Sequence, residues 1–339
     1  GAPRRPWVVA EDNPSDPQRL PAFRLFAVVG TWHEGDVVEA LVRNALAQGC
    51  ERVYVVDNDS PDDTVEAALR AGAILAESFS TEGYDEKLRV SLMNRTVQRV
   101  TEEVDDDHVW WLYMDADEFP HGPGDMTLRD YLATLDRRFR IVGTRYFNHY
   151  PKGTPHYVPG FHPLDFQPLC EEFDAADFHH CQLDHWSHPL RRQDKGAGWL
   201  TGREGLHKVS SDRQLVEPTE PIVVHHFPFR DRSCTIRRLD ALCGPDESGH
   251  VRNEMNDERV RRATGITKRY RCLEHVYAGR WDQVDNLRTA GDPRGVHPRP
   301  WSEVSECDAR AHRRWYSSKE LEQAKARWRE RNAPAATGG

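Results

Sequence analysis

Short apolar runs alternate with amphipathic stretches through the first half of the chain. Four runs have the length of buried strands, at 23–29, 52–56, 73–76 and 108–114. Between them, apolar residues recur at helical spacing over 37–48, 61–71 and 86–104. Strand, helix, strand, helix with short connections predicts an α/β fold, Rossmann-like, with a mostly parallel sheet flanked by helices.

The second half of the chain is less regular. Helical spacing returns at 126–135 and 233–242, and strand-like runs occupy 140–147 and 216–227. From 149 to 205 the chain is rich in His, Pro, Gly, Asp and Trp and has no sustained period. A loop region of that length is usually a lid or a binding surface, so we expect it to contact a substrate.

Composition describes a folded domain with a polar surface. The 339 residues are 38% hydrophobic and include 10 Trp, 10 Tyr and 12 Phe, enough aromatics for a core. The formal net charge of -9 disfavours nucleic acid or an anionic membrane as the main partner. We find no apolar run of membrane-spanning length, no signal peptide and no CxxC pair among the seven cysteines. Reduced thiols and a cytoplasmic location are therefore expected.

Acidic and polar side chains follow three of the predicted strands. His33 and Glu34 follow the first strand, residues 57–59 (DND) follow the second, and residues 115–118 (DADE) follow the fourth. Ligands of parallel α/β sheets bind beyond the carboxyl ends of the strands. Because these clusters converge on one edge, the sequence predicts a binding site there.

The Asp115-Ala116-Asp117 segment is the strongest single motif. Two carboxylates one residue apart, leaving a buried strand at a turn, can reach one hard divalent cation such as Mn²⁺ or Mg²⁺. Such a cation keeps coordination positions for phosphate oxygens and acts on a leaving diphosphate as a Lewis acid. The alternative is a solvated acidic turn or a helix N-cap, since a DxD pair is common by chance.

Order and spacing together resemble one enzyme family. Residues 24–120, with YVVDNDSPDDT and WWLYMDADEF, are similar to the family-2-like glycosyltransferases of GT-A fold, in the branch whose pattern ends in D.DEF. A second block, 223–233 (VVHHFPFRDRS), resembles the HF.yRS segment of that branch, and LHKV contains its preceding lysine, Lys208. Beyond Leu242 we find no resemblance. The chain departs from the pattern at Trp32-His33, where many members have Asn, and at Asp231, where Ser is expected.

The resemblance implies a role for each matching residue. The nucleotide-sugar ligands it implies are Thr31, His33, Glu34, Asp57, Asp115, Lys208 and Arg230. Among these, Asp57 would accept hydrogen bonds from the base or ribose, and Arg230 would offer a planar fork to phosphate oxygens. The metal ligands it implies are Asp115, Asp117 and His226.

Several of these assignments have simpler structural alternatives. Asp57 could begin a capping turn. His226 could be a core histidine, and His225 becomes the ligand if strand alternation runs the other way, since neighbours on a strand face opposite sides.

The catalytic base is the least defined part of the site. An inverting transferase needs a carboxylate or His to take the proton of the attacking acceptor. We predict Asp184, beside a possible sugar platform at Trp186, with Asp165 and Glu204 as further candidates. Glu171, Glu172 and His185 remain open. His179-His180 and His185-x-x-His188 could suggest zinc, but no Cys pair or HExxH accompanies them.

The resemblance implies a metal-dependent hexosyl- or N-acetylhexosaminyl-transferase that uses a nucleotide-sugar. UDP-sugar is the expected donor, with GDP- and dTDP-sugars open, inversion by single displacement is the expected stereochemistry, and a soluble small molecule or secondary metabolite is the expected acceptor. The alternatives are a sugar nucleotidyltransferase, disfavoured by the acidic GTWHEGD loop, and an inactive GT-A carbohydrate- or partner-binding module. No GxGxxG follows the first strand, which excludes a Rossmann dehydrogenase.

We predict four segments along the chain. Residues 1–20 form a flexible N-terminal segment, 21–240 a GT-A domain whose 149–205 region is an acceptor or lid loop, 241–332 a helical C-terminal extension, and 333–339 a disordered tail.

Overall fold

The fold is taken from a computed structural model. It describes residues 7–9, 18–81, 85–173, 187–202, 206, 209–211, 214–243, 273–284, 297–305 and 314–332. The strands are β1 Trp7–Val9, β2 Arg24–Thr31, β3 Arg52–Asp57, β4 Ile74–Ser78, β5 His108–Asp115, β6 Glu118–His121, β7 Ile141–Val142, β8 Thr144–Tyr150, β9 Leu169–Phe173, β10 Leu190–Asp194, β11 Thr201–Gly202, β12 Val209–Ser210, β13 Leu215–Glu217, β14 Ile222–His226 and β15 Arg299–Pro300. The helices are α1 Val38–Ala47, α2 Thr64–Arg70, α3 Glu86–Glu103, α4 Leu128–Thr134, α5 Arg232–Cys243, α6 Trp301–Val304 and α7 Ser318–Asn332, with 3₁₀ turns at Pro163–Asp165 and Trp281–Gln283.

The central sheet confirms the predicted α/β class. Its strand order is β4-β3-β2-β5-β10-β7, and the first four strands are parallel. β10 then pairs antiparallel with β5 along its full length, from Leu190 opposite Leu112 to Asp194 opposite His108. This strand lies inside the 149–205 region for which we predict an irregular loop, and that part of the prediction is wrong. Its sequence, LRRQD, shows no apolar alternation because Arg191 and Arg192 are buried at hydrogen-bonded positions.

The central strands are apolar throughout because both faces of the sheet are covered. In β2, Leu25, Ala27 and Val29 belong to one buried cluster, and the intervening Phe26 and Val28 belong to the other. The first cluster packs under α1, α2 and α4, and the second packs under α3. This arrangement explains why the strand signal is a continuous apolar run rather than an alternation.

A second sheet packs against the same core. Its order is β15-β9-β8-β14-β6, with β14 and β8 parallel and the other pairs antiparallel. The C-terminal part of the chain joins this sheet through β15, and Trp301 lies in the main core. The segment boundary predicted after residue 240 falls inside α5. Within the described ranges, every helix is too short or too polar to cross a membrane.

Candidate active site

The three acidic clusters meet at the carboxyl edge of the central sheet. β2 lies between β3 and β5, with Thr31 opposite Asp57 and Gly30 opposite Asp115. Adjacent strands are about 4.8 Å apart, so the three loops that follow them are neighbours. The convergence predicted from the sequence is therefore a direct result of strand order.

Asp57 is tied into the loop that follows β3. Its Oδ1 accepts from the Thr31 hydroxyl at 2.7 Å and from the Ser60 hydroxyl at 2.7 Å, while Oδ2 accepts from the Ser60 amide at 2.8 Å. The side chain is buried, and α2 has its N-cap at Asp63 instead. Asp57 therefore closes a turn and joins β2 to β3. Oδ1 accepts two hydrogen bonds in this turn and Oδ2 accepts one, so Oδ2 has a lone pair that can accept from a ligand.

The loop after β2 is held in an uncommon backbone conformation. His33 has a φ of 56°, in the left-handed region, and its amide donates to the Ser60 hydroxyl at 3.1 Å. The Glu34 amide donates to the Thr64 hydroxyl at 2.8 Å. Left-handed conformations are uncommon outside glycine and asparagine and are held in place by surrounding contacts. These bonds fix the two loops as one rim of the site.

Asp115 forms an ion pair with an arginine of α3. Arg89 Nη1 lies 2.6 Å from Asp115 Oδ1, and the same guanidinium is 3.0 Å from Glu86. Burial raises the pKa of Asp115 above its ordinary value, an effect that Arg89 opposes and the nearby Glu86 charge strengthens. Asp115 keeps 26% of its side chain exposed, so these partners do not enclose it fully.

Asp117 has different partners and the opposite pKa shift. Its Oδ2 accepts from Arg238 Nη2 of α5 at 2.8 Å and lies 3.5 Å from His226 Nε2. Burial alone would raise the pKa of this carboxyl, but the Arg238 and His226 interactions outweigh it and hold the pKa well below its usual range. Asp117 is therefore an ionised carboxylate at neutral pH.

The two neighbouring histidines of β14 face opposite sides of the second sheet. His226 lies beside Asp117, and its Nδ1 is 2.7 Å from the Asn148 amide oxygen, which orients the ring with Nε2 toward Asp117. His225 lies in the core, where its ring nitrogens are 3.2 Å from His121 and 2.8 Å from His149. The alternation of the strand thus puts His226, and not His225, at the acid pair.

Arg230 is buried beneath the site. Its guanidinium is fully buried and lies 2.6 Å from Glu34 and 2.7 Å from Asp36. Burial raises the pKa of Glu34, while the charges of Arg230 and Arg238 oppose that rise. The structure brings Arg230 into the cluster, as predicted, but its charge is directed at two carboxylates of its own chain.

A carboxyl-phenol pair adjoins the DxD segment. The Tyr146 hydroxyl donates to Glu118 Oε1 at 2.5 Å, and both residues lie on the sheet face that carries His226. Burial and the nearby Asp115 charge raise the pKa of Glu118 well above its ordinary value. The sequence predicts Glu118 as part of the acidic cluster but gives it no role, and no sequence motif indicates Tyr146 as a site residue.

The predicted catalytic bases are only partly within the described residues. Asp165 ends a 3₁₀ turn, and its carboxylate accepts a hydrogen bond from the Tyr316 hydroxyl of the C-terminal segment. Asp184, Glu204 and Lys208 lie outside the described residues, as do His179, His180 and His185. Of the other open candidates, Glu172 pairs with Arg145 at 2.8 Å on the surface.

The chemistry of the donor set fits one divalent cation. Two ligands bound about 2.1 Å from a shared cation lie about 3.0 to 3.5 Å apart, and Asp117 Oδ2 and His226 Nε2 are 3.5 Å apart. No group of three or more His, Cys, Asp and Glu side chains with metal-binding geometry occurs in the part of the chain that the structure describes. The remaining ligands of a cation at Asp117 would be Asp115, water or substrate oxygens, which suits Mn²⁺ or Mg²⁺.

Two arginines of the site were not predicted from the sequence. The pattern of α3, which carries Arg89, indicates an amphipathic helix and nothing more. In α5, Arg237 comes directly before Arg238, and the sequence does not tell the two apart. Local spacing does not show which arginine of a helix meets an acid from another loop. That information lies in the packing of α3 and α5 against the sheet edge.

Fold and site together define an α/β protein with an arginine-braced acidic site at the carboxyl edge of its sheet. Its sequence matches no known family profile and no curated protein. Solved structures do share part of its chain path. Glucosyl-3-phosphoglycerate synthase from Mycobacterium tuberculosis, crystallised with Mn²⁺, UDP and phosphoglyceric acid, is 18% identical over 36% of this chain, with a TM-score of 0.24. This chain covers 43% of that synthase.

Two other solved structures overlap a larger share of the chain. TarS from S. aureus, in complex with UDP-GlcNAc, is 11% identical over 77% of this chain and 70% of its own, with a TM-score of 0.38. The mannosyltransferase PcManGT from Pyrobaculum calidifontis, with GDP-Man and Mn²⁺, is 17% identical over 81% of this chain and 73% of its own, with a TM-score of 0.33. The overlap is partial in each case, so function has to be argued from this chain's own residues.

Proposed function

We propose that this protein is a metal-dependent glycosyltransferase of GT-A type that moves a sugar from a nucleotide-sugar to an acceptor hydroxyl or amine. One observation carries the proposal: strand order brings Asp57 and the Asp115–Asp117 segment to the same edge of the sheet, on either side of β2, with His226 beside Asp117. Carboxylates follow three neighbouring parallel strands: Glu34 comes after β2, Asp57 ends β3, and Asp115 and Asp117 come at the end of β5. This set, with Asp117 ionised, suits a cation-bound diphosphate better than an uncharged ligand.

We assign each part of the nucleotide-sugar donor to a different group of site residues. Asp57 and the Thr31-to-Glu34 loop form the rim at β2 and β3, which we assign to the base and ribose. Asp115, held by Arg89, is assigned to the ribose or sugar. Asp117 and His226 would hold the cation, which when bound neutralises the charge on the leaving diphosphate.

The acid cluster is held in place before any ligand arrives. Glu34 is fixed by Arg230, and Arg230 is fixed by Asp36. Asp115 is oriented by Arg89, and His226 by Asn148. A site whose charged groups are already oriented loses little free energy to reorganisation when charge develops on the leaving group.

We propose an inverting single displacement. The acceptor attacks the sugar carbon opposite the diphosphate, and a carboxylate takes its proton. Asp184, Asp165 and Glu204 remain our proposed bases, and the acceptor proposed for them is a soluble small molecule. Replacement of each carboxylate by its amide identifies the base: the essential variant loses transfer to the acceptor while its affinity for nucleotide and Mn²⁺ stays at the wild-type level.

Calorimetric titration with UDP, GDP and dTDP, each with and without Mn²⁺, tests the proposal. We expect UDP to bind in a metal-dependent manner, and Asp117→Ala to remove that dependence. The matched control is Asp125→Ala, which changes an exposed acid on the loop after β6. A folded wild-type protein that binds none of the three nucleotides with Mn²⁺ present would overturn the proposal in favour of an inactive binding module.

A further inference from the structure

Arg238 pairs with the Asp117 carboxylate, the group that would bind a metal at this site. Its Nη2 lies 2.8 Å from Asp117 Oδ2, and its Nε lies 3.5 Å from Glu34 Oε1. The guanidinium therefore spans two of the acids at the sheet edge, and among the residues that the structure describes it is the positive charge nearest to Asp117. A divalent cation bound to the same oxygen would stand within a few ångströms of this charge, and the two would repel each other.

Arg230, a second arginine of this acid cluster, is held more tightly than Arg238. Arg230 is fully buried between two carboxylates at 2.6 and 2.7 Å. Its amide donates to Thr235 Oγ1 at 2.9 Å, and its carbonyl accepts from the Tyr277 hydroxyl at 2.6 Å. Removing its guanidinium from the cluster would take away the close counter-charge of buried Glu34 and of half-buried Asp36, so Arg230 is a fixed part of the fold.

Arg238 has the contacts of a side chain that can move. It has one close carboxylate partner, with the second at 3.5 Å, and 21% of its side chain is exposed. A guanidinium released from Asp117 would remain at the edge of the site where a diphosphate arrives. Its planar array of N–H donors suits phosphate oxygens at least as well as a single carboxylate.

We propose that Arg238 is an exchangeable counter-ion of the acid pair, bound to Asp117 in the free protein and transferred to the donor diphosphate when a divalent cation takes Asp117. This inference rests on the proposed function. It makes metal and nucleotide binding mutually dependent, because the metal displaces the arginine and the diphosphate accepts it. By linkage, each ligand raises the affinity for the other by the same factor.

Mn²⁺ binding measured by electron paramagnetic resonance, with and without UDP, tests the exchange without reference to activity. For wild type we expect weak Mn²⁺ binding alone and stronger binding with UDP. Arg238→Met keeps the length of the side chain and removes the charge. We expect this variant to bind Mn²⁺ alone about tenfold more tightly and UDP with Mn²⁺ more weakly, so that the coupling falls.

Three further variants test the charge, the position and the site of Mn²⁺ binding. Arg238→Lys keeps a competing cation, so its Mn²⁺ affinity without nucleotide should stay within about threefold of wild type. Arg237→Met removes an exposed arginine of the same helix, which contacts Cys234 Sγ at 3.2 Å, and should leave both affinities unchanged. Asp117→Ala should abolish the tighter Mn²⁺ binding when combined with Arg238→Met, which would place that ion at the acid pair.

The outcomes distinguish this inference from the function on which it rests. If wild type binds neither Mn²⁺ nor UDP, the proposed function fails. If wild type binds both together but Arg238→Met leaves Mn²⁺ affinity unchanged or lower, with a wild-type circular dichroism spectrum, the exchange alone is overturned. A Lys variant that binds Mn²⁺ as tightly as the Met variant would also overturn it.

Discussion

Gly30 leaves the space that Arg89 occupies on its way to Asp115. A Cβ atom at Gly30 would lie 2.9 Å from both Cδ and Nη1 of Arg89, closer than such atoms approach in folded proteins. Gly30 is also the residue of β2 that stands opposite Asp115. The missing side chain therefore lets an arginine of α3 cross the sheet edge and hold the first acid of the DxD segment.

Gly30→Ala should displace Arg89 and loosen Asp115. We expect a loss of about 1 to 3 kcal/mol in the free energy of unfolding, as for other overpacked sites, and weaker nucleotide binding. The check is a double-mutant cycle with Arg89→Ala, measured by urea denaturation and calorimetry. In the Arg89→Ala background, Gly30→Ala should be close to neutral, because the clashing atoms are gone. Additive effects in the cycle would contradict this explanation.

Asp117→Asn should remove metal-dependent nucleotide binding and leave the fold intact. The amide keeps the shape of the side chain but not the negative charge that a hard cation needs. We expect transfer to fall by about a hundredfold or more, since a bound metal supplies several kcal/mol of charge stabilisation. Mn²⁺ titration followed by paramagnetic resonance provides the measurement, with Asp125→Asn as the control. Wild-type Mn²⁺ affinity in the Asn variant would refute the metal assignment.

Asp57→Asn should weaken nucleotide binding more than it slows transfer. The variant keeps a side chain that can still accept from Thr31, but it loses the charge that strengthens hydrogen bonds to a base or ribose. A loss of about 1.5 to 3 kcal/mol, roughly ten- to a hundredfold in affinity, is expected for a bond to a charged group. UDP titration of this variant beside Asp59→Asn, an exposed acid two residues on, makes the comparison. Equal affinities for the two variants would assign Asp57 to the turn alone.

Arg230→Ala should destabilise the protein rather than remove a phosphate contact. Its loss leaves Glu34 and Asp36 without their shared counter-ion, and breaking a buried pair in this way costs about 3 to 5 kcal/mol. Urea denaturation of this variant beside Arg237→Ala, on exposed α5 surface, measures the difference. A variant with wild-type stability but about tenfold weaker UDP binding would support the phosphate role implied by the family resemblance instead.

Asp194 should make stability depend on pH in the acid range. Its carboxylate lies 2.7 Å from His108 Nδ1, 2.7 Å from Arg192 and 3.0 Å from Arg140. Burial opposes ionisation, but these partners outweigh it and lower the pKa of Asp194 below its ordinary value. The unfolded chain therefore binds this proton more readily, so the stabilisation is present above about pH 4 and is lost as pH falls through the folded-state pKa.

Asp194→Asn tests that dependence directly. We expect it to lower the free energy of unfolding at pH 7 by about 1 to 3 kcal/mol, with the difference from wild type shrinking as the pH falls below 4. Asp105→Asn, an exposed acid in the turn before β5, is the control. A difference between wild type and Asp194→Asn that is the same at pH 7 and pH 3 would show that its cause is packing and not charge.

The sequence by itself determined the first half of the fold and the position of the acid pair. Apolar runs such as the one before Asp115 identify buried strands from local sequence alone. A strand covered on both faces is apolar at nearly every position, whichever strands it pairs with. The convergence of Asp57, Asp115 and Glu34 on one edge follows as well, because parallel strands end on the same side of a sheet. These are consequences of pattern and chain direction.

Tertiary structure alone decided which partners those acids have. Arg238 meets Asp117 across 121 positions of sequence, and nothing in the spacing of α5 distinguishes Arg238 from Arg237. β10 forms by pairing with β5, and its buried Arg191 and Arg192 are hydrogen-bonded. It therefore lacks the apolar residues that mark a buried strand in a sequence. His226 rather than His225 faces the site because β14 pairs with β6 and β8 in one register, and a slip of one residue would exchange them. Each of these outcomes depends on contacts between distant segments, which local pattern does not encode.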